Sequence, residues 1–365
     1  MPGHADPREA LIRQALNLQR AVNAISVDRN GVLRAMFAEI AAQIQRIDPT
    51  AVTASTYRRA RIAKLLGTIE DIVGEAYADW YRGVRSDVAR IGRVEALQTR
   101  ADLVASLGAA GGAVSAAVPT NAMLKAIIDT DPFRGETLKG WVKNVNEPAT
   151  VRRVRQQIQL GMVAEEDVGT MVRRIRGRSN GRGGYMGGVM ETTTREATAL
   201  VRTAVTDIAG KARLETFRQN PRVVTGWVWV SALDTKTCEV CGALDGKVFP
   251  LSTTWEVAHF SCRCTSVSAI DWDRLGLEPP DAGMRAARDA EGEIAGKPRS
   301  QTRTQVPADT TYEQWLRGQK AAVQDEILGP GRGRLFRDRK VRLDQLVGSD
   351  KRLVTIKELE RRVNE

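Results

Sequence analysis

The chain has 365 residues, long enough for two or three domains, and an ordinary 42% of them are apolar. Aromatics make up 5%, so helices packed through Leu, Ile, Val and Ala are expected. The formal charge of +11, spread along the chain and not gathered into one run, points to an acidic partner such as nucleic acid, while only two histidines leave general-base catalysis poorly supplied.

Met1 to Pro7 lacks the basic-then-apolar order of a signal peptide, so the chain is expected to be made and kept in a cytoplasm. There thiols stay reduced, and clustered cysteines are more often metal ligands than disulfides. Asp6 can cap a helix whose first position is Pro7. Leu11, Ala15, Leu18, Val22 and Ile25 then recur at steps of four and three, and Leu33, Phe37, Ile40, Ile44 and Ile47 continue the rhythm. Asp48-Pro49 breaks it, and Ile62, Leu66, Ile69, Val73, Ala76 and Trp80 resume it. Each stripe needs a partner, which a helical bundle or long hairpin over 1–107 supplies. Leu103 to Leu124 carries no charge, but its Gly and Ala residues offer little transfer energy. It reads as a buried helix end followed by a linker over 108–120, not as a membrane span.

Helices are expected again from Asn121 to Gly161, with a break near Glu147-Pro148. Glu165, Glu166 and Asp167 begin another helix, and Arg173, Arg174, Arg176 and Arg178 end it, an order that suits the helix dipole. The Gly-rich stretch from Gly177 to Gly188, with Arg182 inside it, reads as a flexible basic loop. Those five arginines, Arg173, Arg174, Arg176, Arg178 and Arg182, are the candidate contacts to nucleic-acid phosphates. A helix over about 192–219 follows, with Ala197, Leu200, Ala204, Ile208 and Ala212 along one side.

Past Pro221 the texture changes. Val223 to Val230 is β-branched and aromatic, Asp245-Gly246 signals a turn before Lys247-Val248-Phe249, and Thr265 to Ile270 alternates. A small antiparallel sheet on a helical body is expected. Residues 276–308 read as a linker or arm, and 309–365 as a helical tail. The fold class is therefore mainly α, α+β overall.

All four cysteines fall within 27 residues, Cys238, Cys241, Cys262 and Cys264, and His259 lies among them. The spacing is Cys-x2-Cys, seventeen residues, then His-x2-Cys-x-Cys. A two-residue gap lets two side chains meet one ion, and seventeen residues suffice for a hairpin that unites the pairs. Zinc favours four ligands of this type. Five candidates compete: Cys238, Cys241, His259 and Cys262 form the preferred set, with Cys264 as substitute or spare thiol. The alternatives are reduced structural cysteines or a disulfide. A structural zinc can contribute on the order of 10 kcal/mol of apparent folding energy. A catalytic zinc needs an open position and a general base. Glu239 and Glu256 are near in sequence, but no His-x-Glu precedes a Pro-Cys-x-x-Cys, and His-Glu-x-x-His and Gly-x-Ser-x-Gly are missing. A groove-reading helix between the ligand pairs has little room, and a ribbon fits better.

From Trp229 to Cys264 the residues Trp229, Ser231, Asp234, Thr237, Cys238, Cys241, Leu244, Asp245, Gly246 and Lys247, then His259, Cys262, Arg263 and Cys264, resemble the phage head morphogenesis domain of the Mu F-like minor head proteins. Arg195, Ala197, Leu200, Arg202 and Thr203 are similar to the helix before that domain. Tyr312, Trp315 and Leu316, with Gln324, Leu328, Gly329, Arg334 and Leu335, are similar to carboxyl ends in the family. The resemblance spans roughly residues 130–345. Ala258 stands where a proline often precedes the histidine, which puts the loop geometry in question. The resemblance implies a head morphogenesis domain over 121–275 with a zinc module at 223–270. It implies a non-enzymatic virion protein of few copies that meets the portal protein, the major capsid protein and packaged DNA. No membrane contact in the mature fold and no small-molecule substrate are expected. A zinc-dependent enzyme acting on nucleic acid is the alternative.

Overall fold

A computed structural model describes residues 7–46, 55–114, 117–164, 166–179, 185–279, 283–298, 300–348 and 352–364. Asp6, Ile47, Asp48, Pro49, Glu165 and Arg182 lie outside them, as do the side chains of Leu11 and Ala15. The protein is mainly helical with small antiparallel sheets, as the residue patterns indicate. No helix among the described residues is long and apolar enough to cross a membrane.

The chain forms two compact units. One comprises Gln19–Ile91 and Ala122–Val205. It holds most of α1 (Pro7–Gln45), α2 (Ser55–Leu107) as far as Ile91, α3 (Asn121–Thr130), α4 (Leu138–Gly140), α5 (Glu147–Val163), α6 (Val168–Arg176) and the first half of α7 (Gly188–Arg218). The expected stripes line its core: Leu33, Phe37, Ile40 and Ile44 on α1, and Ile69, Val73 and Trp80 on α2, are buried, whereas Ile62, Leu66 and Ala76 are half-buried and Tyr77, outside the expected stripe, is buried too. Tyr77 Oη meets Thr150 Oγ1 at 2.9 Å, so the phenol has a polar partner inside this apolar core. The expected break at Glu147-Pro148 takes another form. Trp141–Asn146 winds in wider π-helical turns and runs straight into α5, where Pro148 sits in the first turn and needs no N–H partner. Strands β1 (Arg178–Ser179) and β2 (Tyr185–Met186) form a short ribbon.

The other unit comprises Met1–Leu18, Gly92–Asn121 and Thr206–Glu365. At the end of α2 the small residues Gly108–Ala113 form a tight 3-10 turn. The second half of α7 buries Ile208, Ala209, Ala212 and Phe217. Two buried ion pairs lie here, Arg213 Nε to Glu95 Oε1 at 2.5 Å and Lys211 to Asp207 at 2.8 Å, each charge matched because an unmatched one would be costly. Strand β3 (Val224–Val230) is the centre of a three-stranded antiparallel sheet, between β4 (Val248–Pro250) and β5 (Thr265–Ile270). Between β3 and β4 lies α8 (Glu239–Leu244).

Alternation along β3 sends Trp227 and Trp229 to one face. Trp227 stacks on Phe249 with ring centres 4.4 Å apart, and Trp229 on Trp255 at 4.7 Å. After β5 come α9 (Trp272–Leu275), β6 (Met284–Arg288), α10 (Ala290–Ile294) and β7 (Arg303–Pro307). The segment 276–308, read as a linker, thus carries a ribbon in which β6 pairs with β7. The ribbon is anchored where Arg288 N donates to Leu233 O at 2.9 Å. Helices α11 (Tyr312–Arg317), α12 (Ala321–Leu328), α13 (Pro330–Arg337) and α14 (Ile356–Asn364) follow, and they bury Tyr312, Trp315, Leu316, Leu328, Phe336 and Leu359 in one apolar cluster.

Gly210 of α7 touches the Trp255 indole so closely that a Cβ would overlap it. Gly210→Ala is expected to destabilise by about 1–3 kcal/mol, despite the better helix propensity of alanine, because the buried indole has no room to yield. Gly67→Ala on α2, with open space around it, should instead stabilise by about 0.5–1 kcal/mol. Denaturant unfolding of both variants checks the pair of signs.

Candidate metal centre

Strand β3 ends at Val230, and the chain then turns through Ser231 to Cys238, the N-cap of α8. The Cys238 sulfur accepts from Cys241 N at 3.4 Å, which turns both sulfurs of the Cys-x2-Cys pair to one side of the short helix. The second group of donors lies just before β5. Register places Val230 opposite Thr265 as the last pair, so Ser231 and Cys264 leave the sheet side by side. Ser231 Oγ lies 3.3 Å from Cys264 Sγ. The two groups therefore meet beside the end of β3. This differs from the expected hairpin. The seventeen intervening residues hold the rest of α8, strand β4 and the buried Trp255, and β4 and β5 each pair with β3 instead of with one another.

Cys241 is the hub. Its sulfur lies 3.3 Å from His259 Nε2 and 3.8 Å from Cys262 Sγ. Sulfurs bound at about 2.3 Å to one tetrahedral zinc stand about 3.8 Å apart, so this spacing fits such an ion. Two overlapping groups, Cys238 with Cys241 and His259, and Cys241 with Cys262 and Cys264, each bring their donor atoms within 4.8 Å of one another. All five sequence candidates are thus in one cluster that could hold a metal ion. None of the four cysteines is in a disulfide. His259 Nδ1 is 2.8 Å from Phe260 O. A proton on Nδ1 satisfies that carbonyl and leaves the Nε2 lone pair for a metal. Ala258, in place of the usual proline, is buried, and His259 reaches the cluster without it.

Without a cation, the cluster shares protons unequally. Hydrogen bonding from Cys241, against the cost of burial, brings the Cys238 thiol well below its usual range. Hydrogen bonds from Cys241 and Cys264 bring the Cys262 thiol down as well. Cys241, donating to its neighbours, is pushed up, and burial pushes Cys264 up. The bond to Cys238 raises His259 to about 9. A cation would replace the protons on Cys241 and His259, so its uptake releases protons.

The shell behind the donors is polar. Ser231 Oγ donates to Cys241 O at 2.7 Å and accepts from Trp229 Nε1 at 3.1 Å. Arg263, between Cys262 and Cys264, grips Asp234 with both ends of its guanidinium, one bond being 2.7 Å. Burial works against the Asp234 charge, but Arg263 outweighs it and holds the carboxyl below its usual range. Asp234 also accepts from Lys236 N and Thr237 Oγ1. Arg285 and Tyr312 bind Asp245 from outside the cysteine segment. Sequence reasoning missed Arg285, which sits in the stretch read as a linker. No local pattern marks it, because its partner is 40 positions away.

Helix α8 has six residues, and its Cys241, Gly242 and Ala243 are buried, so it presents no groove-reading face. The arginine candidates lie elsewhere. Asp167 caps α6, and Arg174 is gripped by Glu166. Arg176 donates to Tyr185 Oη at 2.7 Å and lies 4.4 Å from its ring centre. Arg173 reaches Thr170 Oγ1, Arg178 is exposed on β1, and Arg182 is outside the described residues. The structure therefore occupies Arg174 and Arg176 with protein partners.

Cys241→Ser is expected to abolish tight zinc retention, and Cys264→Ser to reduce it least, by metal analysis after dialysis. Zinc affinity should fall as pH falls, since protons compete for Cys241 and His259; titration at two pH values checks the sign. Asp234→Asn leaves the half-buried Arg263 without its counter-ion and should cost about 1.5–3 kcal/mol, by denaturant unfolding.

Residues 134–267 match the family model described as Phage Mu protein F like protein, a stretch that includes all five metal-ligand candidates. No match is found among curated proteins or among solved structures.

Proposed function

Residues 134–267 are Mu F-like, and on that premise we propose that the chain is a minor head protein of a tailed bacteriophage. It acts in head assembly beside the portal and major capsid proteins and lies in the virion, in the head interior or at the portal. One structural zinc, held by Cys238, Cys241, His259 and Cys262, fixes the small sheet. The single observation that carries the reading is the coincidence of the family match with the converged cysteine cluster.

A structural role fits the surroundings of the donors. Cys241 and Cys262 are buried, and the nearby carboxylates of Asp234 and Asp245 are saturated by arginine and backbone donors. Neither is placed to activate a water, which a hydrolytic zinc requires. When bound, zinc would supply a crosslink between residues far apart in sequence. The charge of +11 supports contact with packaged DNA through phosphates, independent of base sequence.

Mass spectrometry of purified particles before and after DNA release tests the placement. The chain is expected in full particles at low copy number. Its absence from particles assembled in its presence would reject a virion role. DNA binding by the purified chain should weaken steeply between about 50 and 200 mM salt, and a flat response would reject the phosphate contact.

A further inference from the structure

The segment bearing the first cysteine pair is covered by the C-terminal part of the same unit. Asp245, its side chain 1% exposed, is the centre of the contact. It accepts from Ser231 N at 2.6 Å, Tyr312 N at 2.7 Å, and both terminal nitrogens of Arg285 at 3.0 and 2.9 Å. Arg285 also donates to Thr310 O at 2.8 Å and to Ser231 O. The buried Tyr312 hydroxyl is shared between the carbonyls of Asp234, at 3.3 Å, and Thr237, at 3.2 Å. Thr237 immediately precedes Cys238. Gly242 of α8 lies against the Tyr312 ring, where a Cβ would stand 2.5 Å from Cδ1. Leu233 is buried in the same apolar cluster as Tyr312, Trp315, Leu316 and Leu343.

These contacts hold the backbone that presents Cys238 and Cys241, whereas the bonds named here do not end on the sulfurs. We infer that metal binding and docking of the C-terminal elements β6 to α13 are coupled, with Arg285 and Tyr312 as positioning residues for the metal centre. The inference rests on the cluster holding a metal ion. The physical reason is linkage. The metal needs residues 231–245 in their folded path, and the C-terminal elements bind that same path. Each must therefore favour the other by the same factor. The C-terminal region becomes a clasp whose closure depends on metal occupancy.

The test uses the full chain, zinc and a competing chromophoric chelator. Arg285→Ala is expected to weaken zinc affinity about 10- to 100-fold, as changes behind the ligands do at other metal sites. Arg285→Lys should recover part of the loss, and Tyr312→Phe should show a smaller one. Arg361→Ala, on the exposed face of α14, should leave affinity unchanged. Hydrogen exchange supplies the reverse direction: chelation should expose amides of β7 and α11 while those of α5 in the other unit stay protected. Unchanged affinity in a folded Arg285→Ala chain, or exchange in β7 and α11 indifferent to chelation, would overturn the coupling. If Arg285→Ala does not fold, Tyr312→Phe decides by the same affinity measurement. A wild-type chain that takes up no zinc removes the metal centre itself and the coupling with it.

Discussion

Four sulfurs and an imidazole gather around Cys241 in two overlapping groups beside a three-stranded sheet, and this crowding sets what the rest of the unit must do. Thiolates repel, and buried thiols gain little from one another. Only a shared cation turns such a cluster from a cost into a stabilising crosslink. The need is sharpened by the size of the sheet: β4 has three residues and β5 six, too few to hold a ribbon together by backbone pairing alone.

The surroundings solve the remaining problem, which is to keep the donors aimed before an ion arrives. On one side the aromatic stack of Trp227, Trp229, Trp255 and Phe249 supplies apolar contact and fixes β3 against α7. On the other, Asp234 and Asp245 pin the turns through Arg263 and Arg285. Buried carboxylates of this kind do not by themselves argue for stability, because desolvation offsets much of their attraction. Their value here is geometric. Each accepts several bonds from different elements, so each specifies one path for the backbone around it.

Much of this was legible in the residues. The steps of three and four that place Phe37, Ile40, Val73 and Trp80 on stripes did mark the core of the helical unit. The alternation of Val224 to Val230 marked β3, and the Cys-x2-Cys and His-x2-Cys spacings marked the cluster. These signals are local, and local periodicity reflects which face is buried. What was hidden is long-range. Arg285 looks like one more charge in a stretch rich in glycine, proline and arginine, and only the fold reveals Asp245 as its partner. The ribbon of β6 and β7 escaped for the same reason, since its strands lie far apart with α10 between them. The arginines of α6 show the converse. A basic run read as a phosphate contact has two members, Arg174 and Arg176, taken up by Glu166 and Tyr185. Sequence shows the charge but not the partner that occupies it.

The stretch that matches the Mu F-like family model is organised about this cluster, and under the proposed function a crosslink there resists deformation without needing a large core. X-ray absorption at the zinc edge of the metal-loaded full chain addresses the central point most directly. The predicted spectrum shows one ion per chain with three sulfurs and one nitrogen at bonding distance and no oxygen ligand. A water or carboxylate oxygen in the first shell, or cysteines found joined as disulfides with no zinc retained, would contradict a closed structural site.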